Sequence, residues 1–308
     1  VFGNAAYEAG NIGGATLGLE AVFGTSFINY YPGIIGVFAF LLLFLGNYRA
    51  LEKGFIVLVL VMSLSFLITA LITKPDMVGI LKGIFIPSAP EESLLMIAAL
   101  VGTTVVPYNL FLHASLVGER WKSKSDLKAA RTDSVVSILL GGVVSMAVIV
   151  AAAAIPDKQI SNAMDLAKGL EPLYGNFARY CMGIGLFAAG VTSAITAPLA
   201  AAYVADSCFG WKTGLKNFKF RIVWMTILIL GVIFMSLGIR PIAIIQFAQV
   251  ANGILLPVIA IFLLWAVNRT SVMGKYKNST GQNIAGLLIV IFSLLLGTKS
   301  ILRVFEVF

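Results

Sequence analysis

Charge is what this sequence has least of. Asp, Glu, Lys and Arg make up 12% of its 308 residues, where soluble globular domains carry roughly a quarter. Hydrophobic residues make up 59% and the mean hydropathy is +0.96. A soluble domain is excluded; a polytopic membrane protein is not, since each spanning helix needs about 20 mostly apolar residues. Cysteine is scarce as well. Cys181 and Cys208 lie far apart, in or beside apolar segments, a spacing that suits no usual zinc site and implies no disulfide framework, and they read as packing residues. There is no cluster of metal-ligating side chains, no nucleophile–base pair and no phosphate-cradling loop, so an enzyme is excluded. No signal peptide and no separate soluble domain are visible. The chain opens at Val1, inside an apolar helix without flanking charges, and further chain upstream is expected. The net charge of +8 would suggest nucleic acid in a soluble protein. Here it matches cytoplasmic loops facing anionic lipid, and no nucleic-acid partner is expected.

What is present is a string of apolar runs. About nine spanning segments are predicted, near 3–23, 30–46, 55–73, 93–117, 133–155, 176–206, 221–238, 243–267 and 283–302. They form a single all-α transmembrane domain over 1–308, embedded in a cell membrane. The loops at 47–54, 118–132, 207–221 and 268–282 hold fourteen Lys and Arg, and the opposite side holds six. The first side is therefore expected in the cytoplasm and the C-terminus outside. The loop from Lys74 to Ser93, with Pro75, Pro87 and Pro90, reads as an outer surface loop.

Polar residues inside the apolar runs mark candidate sites. The stretch Val101–Leu116, VGTTVVPYNLFLHASL, carries Thr103, Thr104, Pro107, Asn109 and His113 at mid-span. Pro107 lacks an amide hydrogen and its ring clashes with the carbonyl four residues back. A break near Thr103–Val106 and a restart toward His113 are predicted. Freed carbonyls at membrane depth are tolerated only in protein or along a cavity, where they are hard ligands for a cation; the plainer alternative is a proline kink with no ligand. In the first segment Glu8 is an acid inside a span, a functional candidate by default, and Asn11 shares its face. A capped or water-exposed acid is the alternative for Glu8, and Glu20 is expected to be solvated. Gly10, Gly14 and Gly18 form a smooth stripe for close helix contact. Thr192, Ser193 and Thr196 can bond neighbouring helices. Gln249 must find a partner at mid-membrane, either another helix or a ligand shell.

These residues carry a resemblance. TTVVPYNLFLHASLV is similar to the sixth-helix signature of the Nramp divalent-metal transporters, whose usual pattern is T-V-M-P-H-N-L-Y-L-H-S-S. AARTDSVVSILLGGVVSMA resembles the seventh helix, LFAAGVTSAITAPLAAAYVAD the eighth, FAQVANGILLPVIAIFLLWAVNR the tenth, and YEAGNIGGA the third. The resemblance covers nearly the whole chain, in order. It implies a LeuT-type fold of two inverted repeats, in which the first and sixth helices are unwound around the metal. Residues 1–73 would be the remainder of the first repeat, 93–267 the second repeat, and 283–302 an additional helix. The family's first two helices, with their Asp-Pro-Gly-Asn motif, have no counterpart in these 308 residues, so the fold is expected in N-terminally truncated form.

The resemblance also implies roles, residue by residue. The main-chain carbonyl ligand falls at Thr103, the methionine ligand at Val106, and the tenth-helix glutamine at Gln249. The histidine linked to proton movement falls at Tyr108, beside Asn109, while the second histidine is kept as His113. The third-helix acidic pair becomes Glu8 and Asn11, so one carboxylate is gone. Valine cannot coordinate a metal, and removal of a soft thioether leaves oxygen donors, which suit Mg²⁺ or Mn²⁺. The departures resemble the family's magnesium-transporting branch. The implied function is divalent cation transport by alternating access, with the metal as substrate and no resident cofactor. A symporter of a small organic solute and a non-transporting scaffold or sensor remain as alternatives; the oligomeric state is left open.

Overall fold

Long runs of Leu, Ile, Val, Phe and Ala leave the backbone to satisfy itself, and in an apolar setting the helix is the local way to do so. The computed structural model describes residues 2–45, 49–86, 88, 93, 96–97, 99–101, 107–155, 163–211 and 217–306, and every regular element among them is helical. The principal helices are α1 (Phe2–Phe23), α2 (Tyr31–Leu45), α3 (Arg49–Ile72), α4 (Met77–Phe85), α5 (Pro107–Arg120), α6 (Leu127–Ala153), α7 (Ala178–Phe209), α8 (Phe218–Met235), α9 (Pro241–Asn268) and α10 (Thr280–Glu306). Among the described residues, five stretches are long and apolar enough to cross a membrane: Lys53–Ile72, Leu127–Ala153, Asp165–Phe209, Phe218–Met235 and Pro241–Asn268. The helices Tyr31–Leu45 and Thr280–Leu295 are apolar but shorter.

Helix ends follow local chemistry. Asn217 caps α8 by accepting from the Lys219 amide at 2.9 Å. Ser279 and Gln282 exchange backbone and side-chain bonds at the start of α10, a reciprocal box that satisfies two orphan donors. Gly210 ends α7 at φ +61, a left-handed value open to glycine. One expectation is corrected here. The segment read as a surface loop contains α4, started by Asp76, whose carboxylate accepts from the Val78 amide at 3.1 Å. The described part of the expected restart, α5, runs from Pro107 past His113 to Arg120. The predicted break at Thr103–Val106 lies outside the described residues.

Two compact units emerge, and their boundaries fall inside α5 and α9. In the unit formed by Val1–Pro87 and Phe111–Ile245, α1 packs against α7 and α8 around Ile12, Ala15, Ile35, Ala188, Val191, Trp224 and Leu228. A second cluster joins α3, α6 and the start of α7 through Phe66, Ala70, Ala147, Ala151, Leu170 and Met182. The Ser65 and Tyr174 hydroxyls lie 2.7 Å apart beside it. The close approach of α1 to α7 depends on small residues, and within the predicted Gly10–Gly14–Gly18 stripe Gly18 meets α7 while Gly14 does not. A Cβ on Gly18 would lie 2.5 Å from the Phe187 amide nitrogen, whereas one on Gly14 would meet nothing. The opposing face of α7 supplies Gly183 and Gly190, and Gly190 lies against the backbone of Ala15. In the unit formed by Ser88–Leu110 and Gln246–Phe308, Asn268 and Asn283 join α9 to α10 by exchanging side-chain amide bonds at 2.7 and 2.8 Å.

Candidate functional site

The polar centre of the first unit is built on α1. Glu8 and Asn11 stand one turn apart on the face toward α7 and α8, and the Glu8 side chain is fully buried. The Asn11 amide nitrogen donates to Glu8 Oε2 at 3.2 Å and to the Ser193 main-chain carbonyl on α7, also at 3.2 Å. Gly231 of α8 closes over the acid: a Cβ there would fall 2.5 Å from Glu8 Cγ. Glu8 Oε1 has no hydrogen-bond partner among the described residues. A buried oxygen without a donor is costly, so helix packing that seals this carboxyl away from water opposes stability. The water-exposed alternative for Glu8 is excluded.

The surrounding hydroxyls do not behave as expected. Thr192 donates to the Ala188 carbonyl and Thr196 to the Thr192 carbonyl, each at 2.7 Å. Both back-bond within α7 instead of reaching another helix, as Ser and Thr commonly do in apolar helices. The interhelical bond is made by the Ser193 backbone, which a side-chain reading overlooks. Glu20, expected to be solvated, is also buried. Its position near the end of α1 misled, because the neighbouring helices extend as far as it does.

The other predicted site residues are placed as follows. Thr103 and Val106 lie outside the described residues. Tyr108 and Asn109 fall in the first turn of α5. His113, further along α5, is exposed and its Nε2 lies 3.1 Å from Ser134 Oγ on α6. Gln249 is half-buried on α9, in the second unit. The structure thus brings Glu8 and Asn11 together, and His113 to Ser134. Among the described residues no three His, Cys, Asp or Glu side chains gather. Both cysteines are free thiols, and Cys208 is exposed.

Comparison with known proteins identifies relatives along the whole chain. Residues 1–303 match the Nramp family model, described as natural resistance-associated macrophage protein-like. A divalent metal cation transporter MntH of Caldanaerobacter subterraneus subsp. tengcongensis is 27% identical over 295 residues, covering 92% of this chain and 69% of that protein. The protein of the same name in Bacillus subtilis is 26% identical over 304 residues, covering 95% of this chain and 70% of the relative. That of Bradyrhizobium diazoefficiens is 30% identical over 306 residues, covering 90% and 66%.

Proposed function

The chain belongs to the Nramp family, an all-α family of polytopic membrane proteins, and on that premise we propose that it takes part in moving a divalent metal cation across a membrane, with Mg²⁺ or Mn²⁺ as cargo. The observation that carries this reading is the match over residues 1–303, together with relatives that bear the name divalent metal cation transporter. Transport proceeds by alternating access around the segment Thr103–Pro107, within a LeuT-type pair of inverted repeats. Residues 1–73 belong to the first repeat and 93–267 to the second.

The donor set decides the cargo. The Thr103 carbonyl and the Gln249 amide are hard oxygen donors, and Val106 contributes no lone pair. Water then fills the vacant coordination position, which suits Mg²⁺ because that ion gives up its waters reluctantly. The family resemblance assigns Glu8, Asn11, Tyr108, Asn109 and His113 to a proton pathway or polar cavity. The loops 47–54, 118–132, 207–221 and 268–282 face the cytoplasm. The test is competitive uptake of Mg²⁺ against Mn²⁺ and Cd²⁺ by the full-length protein and its Val106→Met variant. Wild type should carry Mg²⁺, and the thioether should shift preference toward Mn²⁺ and Cd²⁺. Exclusion of Mg²⁺ by wild type, or an unchanged selectivity order in the variant, would overturn the assignment of the cargo.

A further inference from the structure

Between Asp206 and Glu306 the chain has no acidic residue and ten basic ones. These cations have no counter-charge in their own stretch of sequence. Three of them, Arg269, Lys275 and Lys277, belong to the turn between α9 and α10. That turn is tightly built. Asn268 and Asn283 exchange their amide bonds, and Asn278 donates to Asn283 Oδ1 at 3.2 Å. One turn further from the loop, Gly286 lets α10 close on Leu264, since a Cβ there would lie 2.7 Å from Leu264 Cδ1. The pairs 268–283 and 264–286 fix the two helices as an antiparallel hairpin.

Along this hairpin runs a groove of about 460 Å³ whose walls include Ile261, Leu264, Trp265, Leu287 and Val290, with Arg269 at its loop end. Trp265 and Leu287 are exposed. The Arg269 guanidinium stacks over the Trp265 ring, 4.7 Å from its centroid. A cation over a ring spends none of its N–H donors on the contact, and a guanidinium's fork of donors matches a phosphate. One end of the groove is therefore cationic and aromatic, and the rest is apolar and open sideways.

We propose that this groove binds an anionic phospholipid, with the phosphate at Arg269 and an acyl chain along Ile261, Leu264 and Leu287. A soluble phosphate would use the cation but not the apolar wall, a lipid without a phosphate the wall but not the cation, and a zwitterionic phospholipid would bring its ammonium against Arg269, Lys275 and Lys277. Only a ligand with both parts matches the groove along its length, and basic pockets between spanning helices bind such headgroups. The interfacial place of Trp265 fits as well, since its ring is apolar with one polar edge.

The experiment places the full-length protein in phosphatidylcholine vesicles containing a small, fixed mole fraction of either brominated phosphatidylglycerol or brominated phosphatidylcholine. Tryptophan quenching is read in wild type and in Trp265→Phe, so that the difference isolates Trp265. Phosphatidylglycerol should quench Trp265 more than phosphatidylcholine does. Arg269→Gln should reduce that preference about fivefold, the effect of one interfacial cation, while Arg240→Gln, at the opposite end of α9, should leave it unchanged. Excess inorganic phosphate should not reverse it. Equal quenching by the two lipids, equal effects of the two arginine variants, reversal by free phosphate, or no quenching of Trp265 by either lipid would each overturn the proposal.

Discussion

Helices α1 and α6 belong to the same compact unit and differ in almost every respect. The helix α6 is apolar throughout its spanning part, yet only 11% of its most apolar window is buried. Val135, Ile138, Leu139, Leu140 and Val143 all face outward. By contrast α1 carries Glu8, Asn11, Thr16 and Glu20, is long enough to cross a membrane but not apolar enough to count among those spans, and among its described side chains only Phe23 is exposed. In water the more apolar helix would lie inside. Here the surrounding medium is itself apolar, so burial gains little from hydrophobicity and depends on close packing and interhelical hydrogen bonds. Small and polar residues therefore mark the interior, and large aliphatic ones mark the outer surface.

The contrast can be broken most forcefully at its glycines. Gly190 lies against the backbone of Ala15, and Gly141 on α6 has nothing within 4 Å of an added Cβ. Gly190→Leu should cost about 3 kcal/mol or more, since a backbone cannot yield as a side chain does, whereas Gly141→Leu should stay within about 0.5 kcal/mol. Thermal unfolding in detergent measures both, and equal losses would refute the contrast. A smaller effect, opposite in sign for stability and activity, is expected at Glu8. Leucine has a similar volume and removes the unpartnered oxygen, so Glu8→Leu should leave stability unchanged or raise it by about 1 kcal/mol. Metal uptake by the full-length protein should nevertheless fall about tenfold, equivalent to about 1.4 kcal/mol. Loss of both stability and uptake would make Glu8 a structural residue.

Asn11→Ala removes one interhelical bond and should destabilise by about 0.6 kcal/mol, the usual worth of such bonds inside a membrane protein. A much larger loss in the same unfolding assay would show that the amide organises more than Glu8 and Ser193. The smallest change is expected at Leu139, on the outward face of α6, where Leu139→Ala should shift stability by less than about 0.5 kcal/mol.

Much of this was legible in the sequence. The apolar runs predicted α1, α2, α7 and α8 to within a few residues, because helix length and apolar length coincide where both ends meet loops. The helix α6 begins at Leu127, six residues before the predicted 133, since its first turns are polar and carry no apolar signal. The helix α4 was hidden by flanking prolines, although Asp76 two residues before Val78 was a readable cap. In the site, Glu8 and Asn11 were visible as polar residues three apart in a span. The Ser193 carbonyl and Gly231 were not: a main-chain acceptor has no signature, and one glycine in an apolar run does not announce its neighbour. The burial of Glu20 depends on how far other helices extend, which no local pattern encodes.

The bond between Asn11 and the Ser193 carbonyl spans 182 positions in the chain. Ribosomes add about 5–20 residues per second, so the acceptor emerges roughly 10–40 seconds after the donor. Through that interval α1 lacks its polar partner on α7, and the Gly231 face of α8 that closes over Glu8 comes later still. The segment therefore completes its polar contacts only once α7 and α8 have been made. Closure of this polar contact thus cannot precede synthesis of a distant part of the chain.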